Sequence, residues 1–585
     1  MPIETLEKEV KKLAILEGSS YEKEKEPVLP QSPGDQEISN KVFSNFDKWR
    51  LNRNKSFSYF RERNLYEYIN DCNARFNNYK EKPAWKDEWQ ANISDITIHA
   101  KIMAIVASVI AVRMKVEYFS RITRDIFSKI KASILQNIYN FIDTVERNGD
   151  IDDLFMALKA AREGTIIGFE GYKKTKISEG IDAQMVPLED FYPSDLRKFD
   201  IRDQLKCAWR TVMTYDEFDE SYVNWYQADK VKPSYRISTE ERGLFNISND
   251  ILEDQVEILR YFDKLNDEFY VTANSILIIK PDGKQNKLSN RRKTRKDGYE
   301  LGFWKVVYEP FDINFFYGRS LVDLMRDNQD AIDFIFNSIF DKETLAVLRP
   351  LLVGGVNQLA DDYLYPGRVI SVSDVQQIKE LPISSPDLVS FRLLQELQMR
   401  QQFISVSDVQ QGVATGRKTA TEVERASEAA RKILTLFNIM LSDGLKQKGF
   451  LRGGTIIQYY LNRKEIESMV LESTKLLTGR TGIRVIRVKS QIAPANQLGY
   501  SQELAQENAL IQGESEILEI SPEFFNDFKF SVGVRTPSVI EMSAALQKAF
   551  DREFFGNAIN MPDQFDRKEI SRKYAESMNQ DYEEI

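Results

Sequence analysis

GVATGRKTATEVERASEAARKILTLFNIMLSDGLKQKGF, Gly412 to Phe450, carries a polar, glycine-containing loop directly into one long helical pattern. The loop looks like a phosphate cradle and fails as one. A Walker-type loop needs G-x-x-x-x-G-K-[ST], because its backbone N–H groups wrap the phosphates while Lys and the hydroxyl reach phosphate and magnesium. Here Gly412 and Gly416 are separated by three residues, and Arg417 stands directly after the second glycine, ahead of Lys418 and Thr419. Such a loop should also leave a buried strand, yet Asp408, Gln410 and Gln411 precede the glycines. Thr419 and Glu422 instead have the spacing of a capping box, in which each side chain satisfies an orphan backbone donor. Val423, Ala426, Ala430, Ile433, Phe437 and Met440 then follow at steps of three and four and draw one apolar stripe, with Arg425, Glu428, Arg431 and Lys432 off it. The pattern predicts a helix from Thr419 to about Lys448, roughly 45 Å long. Its small first half suits close approach to a neighbour, and its bulky second half suits a core.

The rest of the chain bounds what that helix belongs to. At 585 residues, 42% hydrophobic and 29% charged, it has the composition of a folded soluble protein and the length of several domains or one elongated subunit. A net charge of −9 is wrong for a general high-affinity DNA binder, because counterion release from phosphates needs local positive charge. DNA could still pass such a surface without sticking. Two cysteines, Cys72 and Cys207, supply neither a disulfide framework nor a metal site, and fit a reducing compartment. The single histidine, His99, lies in SDITIHAKIMAIVASVIAVRM, which reads as a buried helix over Ile96 to Val116. One histidine excludes His-rich metal sites and most His-based acid–base schemes. The charged N-terminus lacks a signal-peptide core. The longest uncharged apolar run, Ile102 to Val112, is eleven residues, against roughly twenty for a bilayer span, so no membrane partner is expected.

Residues 1–40 are charged and carry Pro27, Pro30, Pro33 and Gly34, the pattern of a mobile arm. From Lys41 to about Arg162 the patterns are helical. The acids Asp150, Asp152 and Asp153 lack EF-hand spacing and read as helix N-terminal charge. From Gly164, GTIIGFEGYKKTKI, KCAWRTVMTY, DQVEILRYFDKL, DEFYVTANSILIIK and GFWKVVYEPF alternate apolar with polar residues, the signature of an antiparallel sheet. Between the last two runs KPDGKQNKLSNRRKTRKDG, whose Arg291, Arg292, Lys293, Arg295 and Lys296 suit either contact with nucleic acid or an acidic partner, or a solvated hairpin tip. No aromatic residues interleave these charges as base stacking would require. A second long helix is expected over about Ser320 to Leu348, with Asp323, Asp327, Asp330 and Asp333 on roughly one face. A solvated helix surface is the plain account of those acids. Strands around Tyr365 to Ser371 and Gln376 to Pro382, then a helix over about Pro386 to Phe403, lead back to the loop before Thr419.

This order of parts resembles the portal proteins of tailed bacteriophages. The resemblance rests on YEPFDINFFYGRSLVDLMRDNQDAIDFI at Tyr308 to Ile335, on YPGRVISV and the following ELPI, and on GRKTATEVERASEAARKIL at Gly416 to Leu434. It is continuous from about Val186 to Lys448, and FKFSVGVRTP is similar to the late region of the family. It implies an α+β, predominantly helical, elongated subunit with wing, stem, clip and crown that assembles as a ring, usually of about twelve copies. On this chain residues 41–319 would be wing, 320–348 and 386–405 the stem helices, and 349–385 the clip between them. Residues 406–418 would be the tunnel loop, 419–492 the long wing helix with wing strands, and 493–585 a helical crown. The ring would sit at one capsid vertex of the virion after assembly in the host cytoplasm. Double-stranded DNA would be packaged and ejected through it. Implied partners are the terminase large subunit, a tail adaptor or head-completion protein, and the major capsid and scaffolding proteins. No catalytic residue, cofactor or metal is implied.

A channel that lets a polyanion slide is best lined by carboxylates with sparse cations. On that ground Asp323, Asp327, Asp330 and Asp333 become channel-lining candidates, and Gln410, Gln411, Arg417 and Lys418 the loop that touches passing DNA. Two other classes compete. An ATP-driven DNA-packaging or helicase enzyme would need an intact phosphate loop and an acid ending a hydrophobic strand. A head-to-tail adaptor would be smaller and would not need paired stem helices.

Overall fold

A computed structural model describes residues 32–111, 114–121, 126–174, 179–222, 224–233, 255–291, 300–354, 365–367, 369–372, 379–380, 388–404, 420–459, 470–471, 474–477, 484–489, 515–520, 525 and 528–535. Over these residues the fold is α+β, with more helix than strand.

The first helix, α1 (Pro33–Arg53), is capped by Ser32, whose hydroxyl accepts from the Asp35 amide at 3.3 Å. Pro33 falls in the first turn, where no backbone donor is required. The body therefore begins ahead of Lys41, inside the stretch expected to be mobile. Asp35 is buried and accepts from Gln227 Nε2 at 2.8 Å and Tyr226 Oη at 3.1 Å. Then come α2 (Leu65–Phe76), with a complete Asn64/Glu67 capping box, and α3 (Thr97–Ala111). His99 is satisfied in α3: its Nδ1 lies 3.2 Å from the Phe76 carbonyl oxygen and its ring 4.6 Å from the Phe76 ring. The helix stops short of Val116, which belongs instead to strand β1 (Lys115–Ser120), an alternating segment that the apolar run ahead of it disguised. After α4 (Ile126–Phe141), helix α5 (Gly149–Glu163) carries Asp150 and Asp152 in its first turn, as their position suggested.

The alternating segments form two antiparallel sheets rather than one. β2 (Thr165–Lys174) lies between β3 (Glu179–Val186) and β9 (Phe303–Val307), while β4 (Phe191–Pro193), β5 (Lys206–Thr214), β6 (Gln255–Asp263), β7 (Glu268–Ala273) and β8 (Ile276–Leu277) make a five-stranded meander. Among the described residues, α6 (Tyr215–Tyr222) falls between β5 and β6, and the single turn α7 (Leu288–Arg291) between β8 and β9. Phe169 of β2 joins the sheets, its ring 5.1 Å from Trp209 and 5.2 Å from Phe303. A short ladder, β10 (Glu309–Pro310) with β11 (Gly318–Arg319), then delivers the chain to α8 (Leu321–Val347). Three strands cap α8: β12 (Leu351–Gly354) runs parallel to β13 (Val369–Val372) and antiparallel to β14 (Lys379–Glu380). Two strands were expected there; the third is the four-residue run LLVG, too short for periodicity to register. The chain returns along α9 (Leu388–Ile404).

Helix α10 (Ala420–Gln458) is 39 residues, about 58 Å at 1.5 Å per residue, and continues past Lys448 through Gly449, Gly453 and Gly454. Local propensity disfavours glycine in a helix, but close packing requires it at Gly444, Gly449 and Gly453. A Cβ on Gly444 would lie 2.0 Å from Val306 of β9, and one on Gly453 would lie 2.6 Å from Tyr118 of β1. The helix rests directly on both strands, and Phe437, Leu441, Leu445, Phe450, Leu451 and Ile456 are buried beneath it, as its bulky second half implied. Further on, β15 (Val470–Leu471), β16 (Thr474–Leu477), β17 (Arg484–Lys489) and β18 (Ser515–Ile520) form a sheet, and β19 (Phe530–Arg535) pairs with β1 from Lys115↔Arg535 to Ser120↔Phe530. Strand pairing thus ties two segments of the expected crown, residues 493–585, to what precedes them. The helices expected after Thr536 lie outside the described residues.

Candidate functional site

The helices α8 and α9 leave the body and return to it. Ser320 caps α8, accepting from the Asp323 amide at 2.9 Å. Asn328 Nδ2 donates to the Leu397 carbonyl at 2.8 Å, and Gln401 Nε2 to Gln329 Oε1 at 3.1 Å. The start of α8 therefore lies against the end of α9, and the pair forms an antiparallel hairpin with the three-stranded sheet at its far end.

The acids of α8 hold this hairpin by its base. Asp323 is 2% exposed and accepts from Arg319 Nε at 3.0 Å, with Arg63 and Arg61 both at 3.5 Å. Asp330 takes both terminal nitrogens of Arg75, at 2.8 and 3.0 Å, the forked geometry that strengthens such pairs. Asp333, also 2% exposed, accepts from Gln329 Nε2 and the Asp95 amide, each at 2.9 Å, and from Lys80 at 3.2 Å. Asp327 is 74% exposed and meets Arg61; that hydrogen bond holds its carboxyl below the usual carboxylate range. Behind them Asp71 of α2 sits among Arg63 at 2.7 Å, Arg75 at 2.9 Å and Arg326 at 3.5 Å. Burial alone would raise the Asp71 carboxyl, but these three cations outweigh it and leave it lowered.

Two of the four channel-lining candidates are corrected by this arrangement. Asp323 and Asp333 are enclosed within the protomer by their own cations and amides, so neither can face an open channel. The acidic face is solvated only in part: all four carboxylates are partnered, but Asp327 and Asp330 stay 74% and 43% exposed. Arg61, Arg63, Arg75 and Lys80 are the residues that sequence reasoning missed. A capping box before α2 and the i, i+4 pair Asp71–Arg75 were readable signals of an ordered, charged helix there.

Away from its base the hairpin leaves large apolar side chains exposed beside charged ones such as Glu343, Arg392 and the Glu396–Arg400 pair. On α8, Phe334 is 70% and Val347 73% exposed, and Phe336 and Phe340 form an edge-to-face pair at 5.0 Å on the surface. On α9, Val389, Phe391, Leu393 and Met399 are exposed as well. Large apolar side chains left in water along two adjacent helices are what a partner surface requires.

The other singled-out residues fall elsewhere. Arg291 does not project as a free cation: its guanidinium lies over the Phe269 ring at 4.1 Å, and its carbonyl accepts from Tyr459 Oη at 2.6 Å. Arg292, Lys293, Arg295 and Lys296 lie outside the described residues, as do Gln410, Gln411, Arg417 and Lys418. Among the described residues no cluster of His, Cys, Asp and Glu has the arrangement of a metal site, and no helix is long and apolar enough to cross a membrane. No protein-family model matches the chain, and no curated protein matches it.

Proposed function

We propose that the chain is the subunit of a portal ring of a tailed bacteriophage, a non-enzymatic conduit through which double-stranded DNA enters and leaves the capsid. The observation that carries this reading is the hairpin: two antiparallel helices ending in a small sheet, clamped by charge at one end and carrying large apolar side chains among their exposed residues. A monomer gains nothing from holding Phe334, Val347 and Phe391 in water. A ring would bury them between neighbouring hairpins and so enclose a central hole. The end sheet would then project from the ring as the docking point for the terminase large subunit and later a tail adaptor. The capsid and scaffolding proteins would surround the wing. Its setting would be the capsid vertex of the virion, after assembly in the host cytoplasm. Of the four candidate acids on α8, Asp327 and Asp330 remain accessible enough to influence passing DNA, and both would act there as arginine-paired groups.

Cryo-electron microscopy of the purified protein tests the proposal. The expected result is a closed ring, of about twelve copies, with an axial hole and the hairpins around it. A monomer whose ATP turnover rises with added DNA would overturn it.

A further inference from the structure

We propose that the cavity between the two sheets and the C-terminal end of α10 binds a small aromatic anion, a flat ring bearing a phosphate or a carboxylate. The cavity measures about 200 Å³, enough for one substituted ring and less than a drug-sized molecule needs. The strand register builds its floor. Trp209, Arg260 and Val271 sit directly opposite one another on β5, β6 and β7, and Phe262 faces Phe269 in the adjoining row. Tyr172 of β2 stacks on Tyr459, just past α10, at 5.3 Å and 14° to complete an aromatic wall.

Two guanidinium groups face this space. Arg260 lies over Trp209 at 4.2 Å and donates to Tyr222 Oη at 2.6 Å and Thr211 Oγ1 at 2.7 Å. Arg291 lies over Phe269 at 4.1 Å, on a turn anchored by Gln458, which donates to the Asn290 carbonyl at 2.9 Å. Neither guanidinium meets a carboxylate among the described residues. Elsewhere among the described residues Arg210 reaches Asp190 at 2.8 Å and Arg452 reaches Glu170 at 3.0 Å, while the fully buried Arg53 is held by the Asn54 side chain, the Glu189 carbonyl and Tyr66 Oη with no open space before it. Of the acids that line the cavity, Glu300 is taken by Lys264 at 3.4 Å, and Asp182 accepts from Gln184 Nε2 at 2.6 Å. Burial pushes the Arg291 guanidinium below its ordinary value, and the charge of Arg260 adds to the effect.

Two stacked cations turned toward one partly enclosed space leave positive charge that an anion would neutralise, through the forked geometry that suits phosphate and carboxylate. The aromatic walls set the rest of the specificity, because a flat ring gains stacking and apolar burial that a bare inorganic ion cannot. This site is separate from the hairpin and does not depend on the portal reading.

Isothermal titration calorimetry on the full chain tests it, with phenyl phosphate, benzoate and inorganic phosphate as separate titrants. Phenyl phosphate or benzoate is expected to bind, whichever anion the two arginines prefer, and about tenfold more tightly than inorganic phosphate. Arg291→Met, which keeps the stem over Phe269, should weaken that binding about tenfold or more while the thermal melt stays in place. Arg260→Met should weaken it likewise. Absence of heat with both aromatic anions at millimolar concentration overturns the proposal. Binding unchanged in both variants overturns it too, as does inorganic phosphate binding as tightly as the aromatic anions.

Discussion

Arg452 is fully buried in α10 and is held by carboxylates from two other elements: Glu170 of β2 at 3.0 and 3.1 Å, and Asp143 beyond α4 at 2.7 Å. Burial opposes its charge, and the two carboxylates outweigh burial, so the group stays a cation well above its ordinary value. Arg452→Met would strand the buried Glu170 carboxylate and should cost about 3–5 kcal/mol in urea unfolding. The double change Arg452→Met with Glu170→Leu should recover most of that, because the penalty belongs to the unpaired charge. A double variant as unstable as the single would show that shape, not charge, is what Arg452 supplies.

Lys305 presents the opposite case. It is buried in β9, donates to the carbonyls of Phe316 at 2.8 Å and of Phe199, and lies over the Phe316 ring at 4.4 Å. Burial lowers its amine to about 7, against the opposing pull of Asp200 and Asp443. Between about pH 7 and the unfolded value near 10.4, the unfolded chain holds the extra proton, so stability from this group rises with pH. Wild type should therefore gain on Lys305→Met by about 1.4 kcal/mol per pH unit across that window. Below it the two stability curves should run parallel. Parallel curves throughout would mean that Lys305 stays charged in its pocket.

At the scale of elements, the clamp under α8 separates buried charge from exposed charge on a single helix. Asp323→Ala removes the partner of Arg319, Arg61 and Arg63, and should cost about 3 kcal/mol. Asp327→Ala removes a solvent-washed pair and should cost no more than about 1 kcal/mol. Equal losses in chemical denaturation would remove the distinction. The helix itself was legible, from the Ser320 cap to its end near Leu348, because caps and three-four periodicity are local signals. What covers its acidic face was not. The covering cations Arg61, Arg63, Arg75 and Lys80 stand far off in sequence, and periodicity reports that a face is polar without reporting what it touches. The same limit explains the other departures. α10 passes through its glycines because β9 and β1 lie against them, and Phe530–Arg535 becomes a strand through pairing with a segment near the other end of the chain. At the aromatic cavity, Arg291 was visible as part of a basic run. Its inward turn over Phe269 depends on how β7 and α7 meet, which a single sequence does not encode locally.

For the whole molecule, the decisive asymmetry is between a well-paired body and a hairpin that leaves large apolar side chains exposed. The substitutions Phe334→Glu and Phe391→Glu alter side chains that are exposed in the protomer, so together they should shift protomer stability by only about 1 kcal/mol. In a ring each would place an unpaired carboxylate at an apolar contact, and the cost would recur at every interface of the closed cycle. The double variant should thus remain folded, with an unchanged melt at low concentration, and run as a monomer in size-exclusion chromatography with light scattering under conditions where wild type is expected to assemble into the proposed ring. A ring that survives both charges would move the subunit interface off the hairpin. A variant that unfolds would place these side chains in a contact within the protomer. Separation of assembly from folding, with the first lost and the second kept, is the outcome that ties the apolar faces of α8 and α9 to a neighbouring copy.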